Sequence, residues 1–448
     1  MLVITMRIRE YLATKKRDIE AIDVKPRLVE FEPNKNFIMS IVGPRRSGKT
    51  YFLYYVIKSR GLSEKDFLFV DFEEPIEIAD PLQLPYIHQE MYGTHPEYMF
   101  LDEIQALDNW VKVVYSLHAK RRYYIFITGS SSKLLAKEIA TQLRGRAIPI
   151  YIYPFSLAET LLAKNIKIKK PLDLYTISTL KHTILTHMEI GFFPDVVLGN
   201  IAPSTFFREY LDLVIYKDII ERYGIRNRYA LEFLIKSALS SNTKEFSIRK
   251  VYSTLKSKGA KVSKKILYNF QKILEDIRIF FFLRKYDKSL RRIELSAPKV
   301  YAVDTGLATY YSLEKSRSKQ MEHLVLLELI KAGLEPNKDI FYWKDPQKSE
   351  VDFVILKNDA VKQLIQVTYA SSLDEIRQRE IKALIKASRR LNCRKLVLIT
   401  WDYEEKMTIN RKTIDIIPLW KWLLKQISDN KKHCARSSAM KPSMSNSL

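Results

Sequence analysis

The chain has 448 residues, of which 46% are hydrophobic, and it contains 75 lysine and arginine residues against 51 aspartate and glutamate residues. This length and hydrophobic content allow two to four domains with substantial cores and exclude global disorder. The formal net charge of +24 favours nucleic acid as the first partner to consider. A generally basic proteome or an adaptation to heat would produce the same excess.

Cysteine usage and hydropathy predict an intracellular protein. The two cysteines are Cys393 and Cys434, and Cys434 lies in a polar stretch, so neither a structural disulfide nor a zinc cluster is expected. No apolar run approaches the ~18 residues of a membrane span. Residues 1–6 are followed at once by charges and lack a cleavage site, unlike a signal peptide. We therefore expect a cytoplasmic protein without a membrane partner.

The first predicted elements lead into a phosphate-binding motif. Residues 1–36 are predicted as an N-terminal lead-in with a charged helix around residues 8–17. The pattern GxxxxGK[ST] follows at residues 43–50, between an apolar, β-branched run at 37–42 and a helix-like stretch at 51–58. Because strand and helix both flank it, the pattern indicates a P-loop. The alternative is a chance match in a turn before a helix.

The residue types of this loop suit ATP with Mg²⁺. Backbone N–H groups of a glycine-containing turn converge on the β-phosphate, and the helix N-terminus adds a positive dipole end. Lys49 can reach the β- and γ-phosphates, and the Thr50 hydroxyl can bind Mg²⁺. The predicted nucleotide-binding residues of the loop are Gly43, Pro44, Arg45, Arg46, Ser47, Gly48, Lys49 and Thr50.

Further apolar runs predict the other strands of an α/β domain with a parallel sheet. They occupy residues 67–72, 98–103, 123–130 and 148–152 and alternate with helical stretches such as 110–117. The combination predicts a P-loop NTPase fold in which nucleotide binds at the end of the first strand.

The run 98–103 ends in Asp102 and Glu103, which form a Walker B signature. Asp102 would hold Mg²⁺ directly or through water, and Glu103 would polarise the attacking water. The alternative is an ordinary acidic strand end, which a preceding P-loop at this separation makes improbable.

Two more positions are candidates for the same site. Thr128, at the tip of the next strand, can orient water near the γ-phosphate, whereas Ser131 and Ser132 are equally well explained as helix caps. Arg146 can stabilise the charge of the transferred phosphoryl group, in cis or from a neighbouring subunit, and Arg144 is a second candidate. The alternative is that both are ordinary surface arginines.

Taken in order, these motifs resemble archaeal and bacterial ATPases of the AAA+ class. The resemblance includes the Leu-x-Gly-Arg stretch 143–146 and the run 153–159, and it continues through Gly191-Phe192-Phe193-Pro194 and residues 210–223. It implies an AAA+-like core with a helical lid, a winged helix and a C-terminal restriction-endonuclease-like α/β domain. The implied boundaries are 1–36 for the lead-in, 37–154 for the ATPase core, 155–240 for the lid, 241–305 for the winged helix, 306–428 for the nuclease-like domain and 429–448 for a disordered tail.

The lid and the winged helix carry basic residues. Arg208, Arg222 or Arg226 could face the nucleotide from the lid, and the sequence does not choose among them. In the winged helix, a basic loop between strands 280–284 and 299–303 is the predicted wing. Lysines suitable for phosphate contacts are concentrated in the predicted helix–turn–helix, at Lys256, Lys258, Lys261, Lys264 and Lys265. We expect DNA binding there, and the alternative is a module that only packs between domains.

The C-terminal stretch resembles the PD-(D/E)XK nuclease fold, in which carboxylates hold Mg²⁺ and a lysine helps to activate water. Glu322 and Asp352 match the first two elements, but Gln366 and Thr368 stand where Glu-x-Lys is expected. The pattern therefore predicts a site that has lost one charged ligand and its cation. We expect a nuclease-like fold that is retained for binding or packing.

Three functions remain open at this point. The first is a Mg²⁺-dependent ATPase that acts on nucleic acid or is regulated by it, possible as a homo-oligomer. The second is a DNA-binding switch in which ATP binding matters more than turnover. The third is an ATP-gated nuclease, which Gln366 and Thr368 disfavour.

Overall fold

The computed structural model describes residues 7–129, 139, 141–168, 171–312 and 314–426. The chain divides into two compact units. The first unit comprises Met1–Phe155 and the later segment Leu213–Gly224, and the second comprises Ser156–Asp212 and Ile225–Leu448. Ser131, Ser132 and the predicted tail 429–448 lie outside the described residues.

The first unit is built on a five-stranded parallel sheet, which confirms the predicted α/β core. Its strands are β1 (Ile38–Val42), β2 (Phe67–Asp71), β3 (Tyr98–Asp102), β4 (Tyr124–Thr128) and β5 (Ala147–Tyr151), in the spatial order β2-β3-β4-β1-β5. Its helices are α1 (Ile8–Ala21), α2 (Lys49–Ser59), α3 (Leu84–Tyr92) and α4 (Trp110–Ala119), with short 3₁₀ turns at Pro81–Gln83 and Ile104–Ala106.

Helices cover both faces of this sheet, which is why its strands are apolar throughout and do not alternate with polar residues. Leu68 and Val70 point into a core shared with α1, α3 and α4. Phe67 and Phe69, which alternate with them, point into a second core shared with α2.

The carboxyl ends of the strands bring the predicted motifs to one edge of the sheet. Ile41, just before the P-loop, is in register with Thr128 at the end of β4. Asp102 ends β3 and is in register with Asp71 at the end of β2. Because parallel strands end on the same side, their terminal side chains surround the P-loop.

Helix α1 buries a lysine in the first unit. The Lys16 side chain is 1% exposed, and its Nζ lies 3.1 Å from His88 Nε2 and contacts the Glu64 carbonyl oxygen. The ammonium also lies 3.6 Å from the centre of the Tyr92 ring. Burial lowers the pKa of Lys16 to about 7, although the charges of Glu64 and Asp66 oppose this shift.

Replacing Lys16 by methionine should remove a pH dependence of stability. Because the pKa of Lys16 is lower in the folded chain than in the unfolded chain, the unfolded chain binds more protons between pH 7 and about 10, and stability rises with pH over that range. The free energy of unfolding of wild type should therefore rise by about 3 kcal/mol relative to that of Lys16→Met between pH 6 and pH 9.5. Urea unfolding at both pH values measures it, with Lys112→Met, at an exposed position, as the control. A constant difference between wild type and Lys16→Met would contradict the prediction.

The second unit combines helices with two further sheets. Its helices are α5 (Leu157–Ala163), α6 (Leu174–Ile190), α7 (Pro194–Val197), α8 (Pro203–Leu213, whose last residue belongs to the first unit), α9 (Arg228–Ser240), α10 (Ile248–Ser257), α11 (Lys264–Asp276), α12 (Leu290–Leu295), α13 (Thr305–Tyr311), α14 (Arg317–Lys331) and α15 (Gln378–Leu391), and residues 419–426 are also helical. Its strands are β6 (Phe280–Leu283), β7 (Lys299–Ala302), β8 (Ile340–Lys344), β9 (Glu350–Lys357), β10 (Ala360–Val367), β11 (Leu396–Thr400), β12 (Glu405–Ile409) and β13 (Lys412–Pro418).

The motif Gly191-Phe192-Phe193-Pro194 has a structural explanation in this unit. Asp304, fully buried, accepts a hydrogen bond from the Phe192 N–H at 2.7 Å and caps α13 through the Gly306 and Leu307 N–H groups. Gly191 has a φ of +85°, and a Cβ there would lie 2.1 Å from Asp304 Oδ1. Only glycine fits, so this motif ties α6 to α13.

Helices α9, α10 and α11 pack together and are followed by the antiparallel hairpin of β6 and β7. The connection between the two strands differs from the predicted open wing. It contains α12, and Ile293 of that helix is buried in the C-terminal core with Phe341 and Trp343. An apolar anchor of this kind holds the connection against the C-terminal sheet.

The C-terminal sheet has six strands in the order β12-β13-β11-β10-β9-β8. The pairs β10–β11 and β11–β13 are parallel, and the others are antiparallel. Strands β12 and β13 were not predicted from the sequence, because β12 is an exposed edge strand that begins with charges. Their two-residue turn, Asn410-Arg411, has φ values of +51° and +59°, the geometry of a tight hairpin.

None of the helices in the described part of the chain combines the length and the apolar character that crossing a bilayer requires.

Candidate nucleotide site

The P-loop runs from the end of β1 to the start of α2. A Cβ on Gly43 would lie 2.0 Å from the Ile152 carbonyl oxygen, so only glycine fits there. Arg46 and Gly48 have φ values of +57° and +88°, which curl the backbone around the loop. The exposed Arg46 side chain lies at the loop surface, whereas Ser47 and Pro44 are buried.

A buried arginine outside the motif supports the loop. Arg27 donates to the Ser47 carbonyl oxygen at 2.9 Å and to the Tyr153 carbonyl oxygen at 2.7 Å. Its planar fork therefore ties the lead-in segment to the loop and to the chain after β5. The sequence reasoning did not single out this residue, because no local pattern marks it.

Lys49 lies beneath the loop. Its Nζ donates to the carbonyl oxygens of Gly43 at 3.3 Å and Pro44 at 3.2 Å. Burial lowers the pKa of Lys49, while the nearby carboxylates of Glu103, Asp218 and Asp102 oppose this shift. An anionic phosphate beside this ammonium would compensate for the water that it has lost.

Asp102 is fully buried at the end of β3. Its Oδ1 accepts a hydrogen bond from the Thr128 hydroxyl, and among the described residues its Oδ2 has no hydrogen-bond partner. Burial raises the pKa of Asp102 to about 7, although the Thr128 and Thr50 side chains lower it. A buried carboxylate oxygen without a donor, beside the Thr50 side chain, is suited to a cation.

These donors fit Mg²⁺, which proteins often hold with one or two side chains while substrate phosphates complete the coordination. Within the described ranges, no group of three or more His, Cys, Asp or Glu residues is arranged to hold a metal on its own. Asp102 and Thr50 would therefore hold Mg²⁺ together with the nucleotide.

Thr128 lies at the tip of β4 as predicted, but its hydroxyl contacts protein groups. Its hydroxyl donates to Asp102 and accepts a hydrogen bond from the Glu103 N–H at 3.1 Å. The side chain is 1% exposed. Both functions of the hydroxyl are thus engaged within the protein, and Thr128 fixes Asp102 and the backbone of Glu103.

Glu103 follows Asp102 in a strained conformation. Its φ of +45° is uncommon for a residue with a side chain and is frequent at functional sites. The carboxylate accepts a hydrogen bond from the Gln105 side chain. This backbone turn directs the chain away from the sheet directly after Asp102.

Arg146 lies at the amino ends of the parallel strands, opposite the carboxyl ends where the P-loop lies. It precedes β5, and its carbonyl oxygen accepts a hydrogen bond from the N–H of Ile38 at the start of β1. The guanidinium lies 4.9 Å from the centre of the Tyr115 ring. A five-residue strand separates the two edges by roughly 16 Å. Arg146 therefore cannot reach a nucleotide at the P-loop of its own subunit, and only its predicted role in trans stays open.

One residue of the site comes from the segment that returns to the first unit. Asp218 is fully buried and forms an ion pair with Arg45 of the P-loop, with Nη2 to Oδ1 at 2.9 Å. In the sequence it was visible only as part of the stretch 210–223 that carries the family resemblance. The pairing joins residues that are 173 positions apart, so no local signal could reveal it.

The C-terminal carboxylates form a separate cluster in the second unit, and here the expectation of a lost cation is wrong. Lys299 of β7 places its Nζ 2.9 Å from Glu322, 2.7 Å from Glu350 and 3.2 Å from Asp352. Burial disfavours its charge, but the surrounding carboxylates outweigh burial and raise the pKa of Lys299 well above its ordinary value. The one feature of the sequence that could have indicated this role for Lys299 is the position of a lysine at the start of an apolar strand.

The other members of this cluster are also engaged. Gln366 accepts a hydrogen bond from the Asp352 N–H through Oε1 at 3.3 Å, so the amide oxygen proposed as a metal ligand faces the protein backbone. The Tyr301 hydroxyl donates to Glu322 at 2.6 Å. Burial and the charge of Glu322 raise the pKa of Asp352 to about 8. A cation of the chain itself thus compensates these carboxylates.

Three family models match the chain. Residues 35–161 match a model described as an AAA domain. Residues 181–318 and 317–422 match two models described as domains of unknown function, DUF8612 and DUF4143. The match to the AAA domain spans the P-loop, Asp102, Glu103 and Thr128.

Relatives cover almost the whole chain. The uncharacterized protein MJ1544 of Methanocaldococcus jannaschii is 37% identical over 424 residues, which are 92% of either chain. An uncharacterized protein of Haemophilus influenzae is 28% identical over 412 residues, 89% of this chain and 96% of that protein. Among solved structures, the Walker-type ATPase PABY2304 of Pyrococcus abyssi is similar with a TM-score of 0.39 and 16% identity, over 69% of this chain and 99% of that one.

Proposed function

Since the chain belongs to the family of MJ1544 of Methanocaldococcus jannaschii, we propose that it is a Mg²⁺-dependent ATPase of the AAA+ class that acts on nucleic acid or is regulated by it. The observation that carries the proposal is that two buried charged residues, Lys49 and Asp102, lie at the same end of the parallel sheet. The Lys49 ammonium is buried against the Gly43 and Pro44 carbonyl oxygens, and within the described part of the chain Asp102 Oδ2 has no hydrogen-bond donor, so Mg²⁺-ATP would compensate both charges.

The residues divide the chemistry among them. The backbone N–H groups of the P-loop bind the β-phosphate, and Lys49 neutralises the β- and γ-phosphates. Asp102 and Thr50 would hold Mg²⁺, which would neutralise phosphate charge when bound. Glu103 orients the attacking water and accepts its proton, while Thr128 keeps Asp102 and Glu103 in place.

Replacing Glu103 by glutamine tests this assignment. The amide keeps the size of the side chain but cannot accept the proton of water, so kcat should fall by about 10²-fold or more while ATP still binds. Steady-state phosphate release and equilibrium binding of a fluorescent ATP analogue measure the two effects. Turnover at the wild-type rate would show that Glu103 is not the base.

We also propose that helices α9–α11 with the β6–β7 hairpin form a winged helix that contacts the phosphates of duplex DNA. The lysines predicted for this role at 256, 258, 261, 264 and 265 are all exposed. Lys264 lies 5.2 Å from the centre of the Tyr252 ring. Exposed ammonium groups on adjoining helices suit non-specific phosphate contacts, which contribute affinity and little sequence preference.

Replacing Lys261, Lys264 and Lys265 together by alanine should lower the salt slope of duplex binding. Each lost phosphate contact releases fewer counterions, so the slope of log K against log[salt] should fall by about two to three units at ~0.9 per contact. Fluorescence anisotropy with a labelled duplex measures it. The matched control changes three exposed lysines of the C-terminal domain, Lys348, Lys357 and Lys362. An equal effect of the control triple would move the DNA surface elsewhere.

The C-terminal domain is proposed to bind or pack without cutting nucleic acid. Lys299 compensates Glu322 and Asp352, and the Gln366 oxygen is engaged by the backbone. The comparison that separates a motor from a DNA-binding switch is the rate of ATP turnover with and without duplex DNA.

Arg146 remains a proposed residue that acts in trans in a homo-oligomer. Mixing Arg146→Ala with Lys49→Ala tests this proposal, because mixed oligomers should recover part of the ATP turnover.

A further inference from the structure

The segment that returns to the first unit has an unusual backbone. Val214–Glu221 is a π-helix, a rare geometry that is frequent at functional sites. Asp218 lies in it and is fully buried, whereas its neighbours Tyr216 and Lys217 are exposed. The segment thus places one carboxylate inside the unit that contains the P-loop.

Asp218 orients Arg45 with two donors. Arg45 Nη2 lies 2.9 Å from Oδ1, and Nε lies 3.3 Å and 3.4 Å from Oδ1 and Oδ2. Because two N–H groups of Arg45 bind one carboxylate, the plane of the guanidinium is fixed. A lysine in the same place would make a single contact and would not be oriented in this way. The Arg45 side chain is 27% exposed and that of Asp218 is 1% exposed, so the guanidinium borders solvent while its anchor does not.

Arg45 is also electrostatically close to the proposed catalytic groups. Burial opposes its charge, but Asp218, Glu103 and Glu73 raise the pKa of Arg45. Glu103 and Asp218 act on Lys49 as well. The Arg45 guanidinium, which belongs to the P-loop and is held by Asp218, is therefore within electrostatic reach of Glu103.

We propose that Arg45 is a second catalytic cation, besides Lys49, that this chain supplies in cis to the transferred phosphoryl group, and that Asp218 is the positioning residue that holds it. The proposal rests on the ATPase function. In hydrolysis a water oxygen bonds to the γ-phosphorus, the bond from that phosphorus to the β,γ-bridging oxygen breaks, and the proton of water passes to Glu103. Negative charge on the γ-oxygens and on the departing ADP oxygen is then stabilised by a cation that is already in place.

Arg45 would thus stabilise the phosphoryl group within its own subunit, which Arg146 is too distant to do. A long arginine side chain loses conformational entropy when it is ordered, and the buried Asp218 has ordered Arg45 before nucleotide binds. The burial of Asp218 in turn depends on its ion pair, since an unpaired buried carboxylate is strongly unfavourable. The two residues therefore act as one element.

Variants of the full-length chain test the pair with Mg²⁺-ATP. Arg45→Ala should lower kcat by about 10²- to 10³-fold, and Asp218→Asn by about 10- to 100-fold. Because the interaction forms in the transition state, KM and the affinity for a fluorescent ATP analogue should stay within about three-fold of wild type. The double variant should be no slower than Arg45→Ala alone, and Asp218→Glu should recover part of the loss.

The control is Glu221→Gln, the same carboxylate-to-amide change at an exposed position of the same segment. It should leave kcat unchanged. Wild-type kcat in Arg45→Ala, a purely KM effect of Asp218→Asn, or additive losses in the double variant would overturn the proposal. Arg45→Lys keeps the positive charge but removes the planar guanidinium, and it tests the pair even if Asp218→Asn does not fold. We expect a large loss of kcat with normal ATP binding in this variant. If instead wild type shows no turnover above that of Lys49→Ala, the ATPase function itself fails.

Discussion

Replacing Lys49 by alanine should reduce ATP turnover to background, a loss of about 10³-fold or more. The ammonium lies under the P-loop, bonded to the Gly43 and Pro44 carbonyl oxygens, where a phosphate would become its stronger partner. Without this charge, the β- and γ-phosphates face Asp102, Glu103 and Asp218 with less compensation. ATP affinity should therefore fall together with kcat, unlike in Glu103→Gln. Phosphate release and binding of a fluorescent ATP analogue measure both.

The Lys49 prediction has a matched control in the same unit. Lys112→Ala makes the same change at an exposed position and should retain turnover and affinity. The thermal unfolding midpoint of Lys49→Ala should stay close to that of wild type, because burying this charge opposes folding. If Lys49→Ala turns over ATP at a tenth of the wild-type rate or faster, the P-loop assignment is wrong.

Replacing Lys299 by methionine should destabilise the second unit by about 3–5 kcal/mol. Methionine matches the volume, so the effect comes from the charge. Its loss leaves Glu322 and Asp352 without a cation in a buried site, with Glu350 nearby. Tryptophan fluorescence during urea unfolding is a suitable readout, because four of the five tryptophans lie between residues 343 and 422.

Two further variants isolate the electrostatic cause. Lys344→Met removes a more exposed partner of Glu350, at 3.3 Å, and should cost about 1 kcal/mol or less. Adding Asp352→Asn to Lys299→Met removes one of the unpaired carboxylates and should recover part of the lost stability. Equal destabilisation by Lys344→Met and Lys299→Met would show that Lys299 is not the centre of the cluster.

The sequence was sufficient to predict the parallel sheet and the P-loop of the first unit. Apolar runs of strand length, separated by helical stretches, predict a parallel sheet because both of its faces are covered. The P-loop and the Asp102-Glu103 pair are local patterns at strand ends, and parallel strands bring such ends to one edge. For this reason the position of Lys49 and Asp102 at the same end of the sheet could be anticipated without coordinates. Helices α10 and α11 and the β6–β7 hairpin were likewise predictable from periodicity and from caps such as Ser263.

The tertiary structure determined the positions and partners of the other site residues, because these depend on strand order and on contacts between distant parts of the chain. Arg146 precedes its strand and Thr128 ends one, so the sheet places them at opposite edges although both are close to the motifs in sequence. Arg45 and Asp218 meet only because the segment 213–224 returns to the first unit. Lys299, the first residue of β7, supplies a cation to this cluster because it forms ion pairs with Glu350 and Asp352 of β9. Residue type and local periodicity determine which element forms, but the partner of a buried charge is determined by what packs against that element, and a single local pattern does not contain this information.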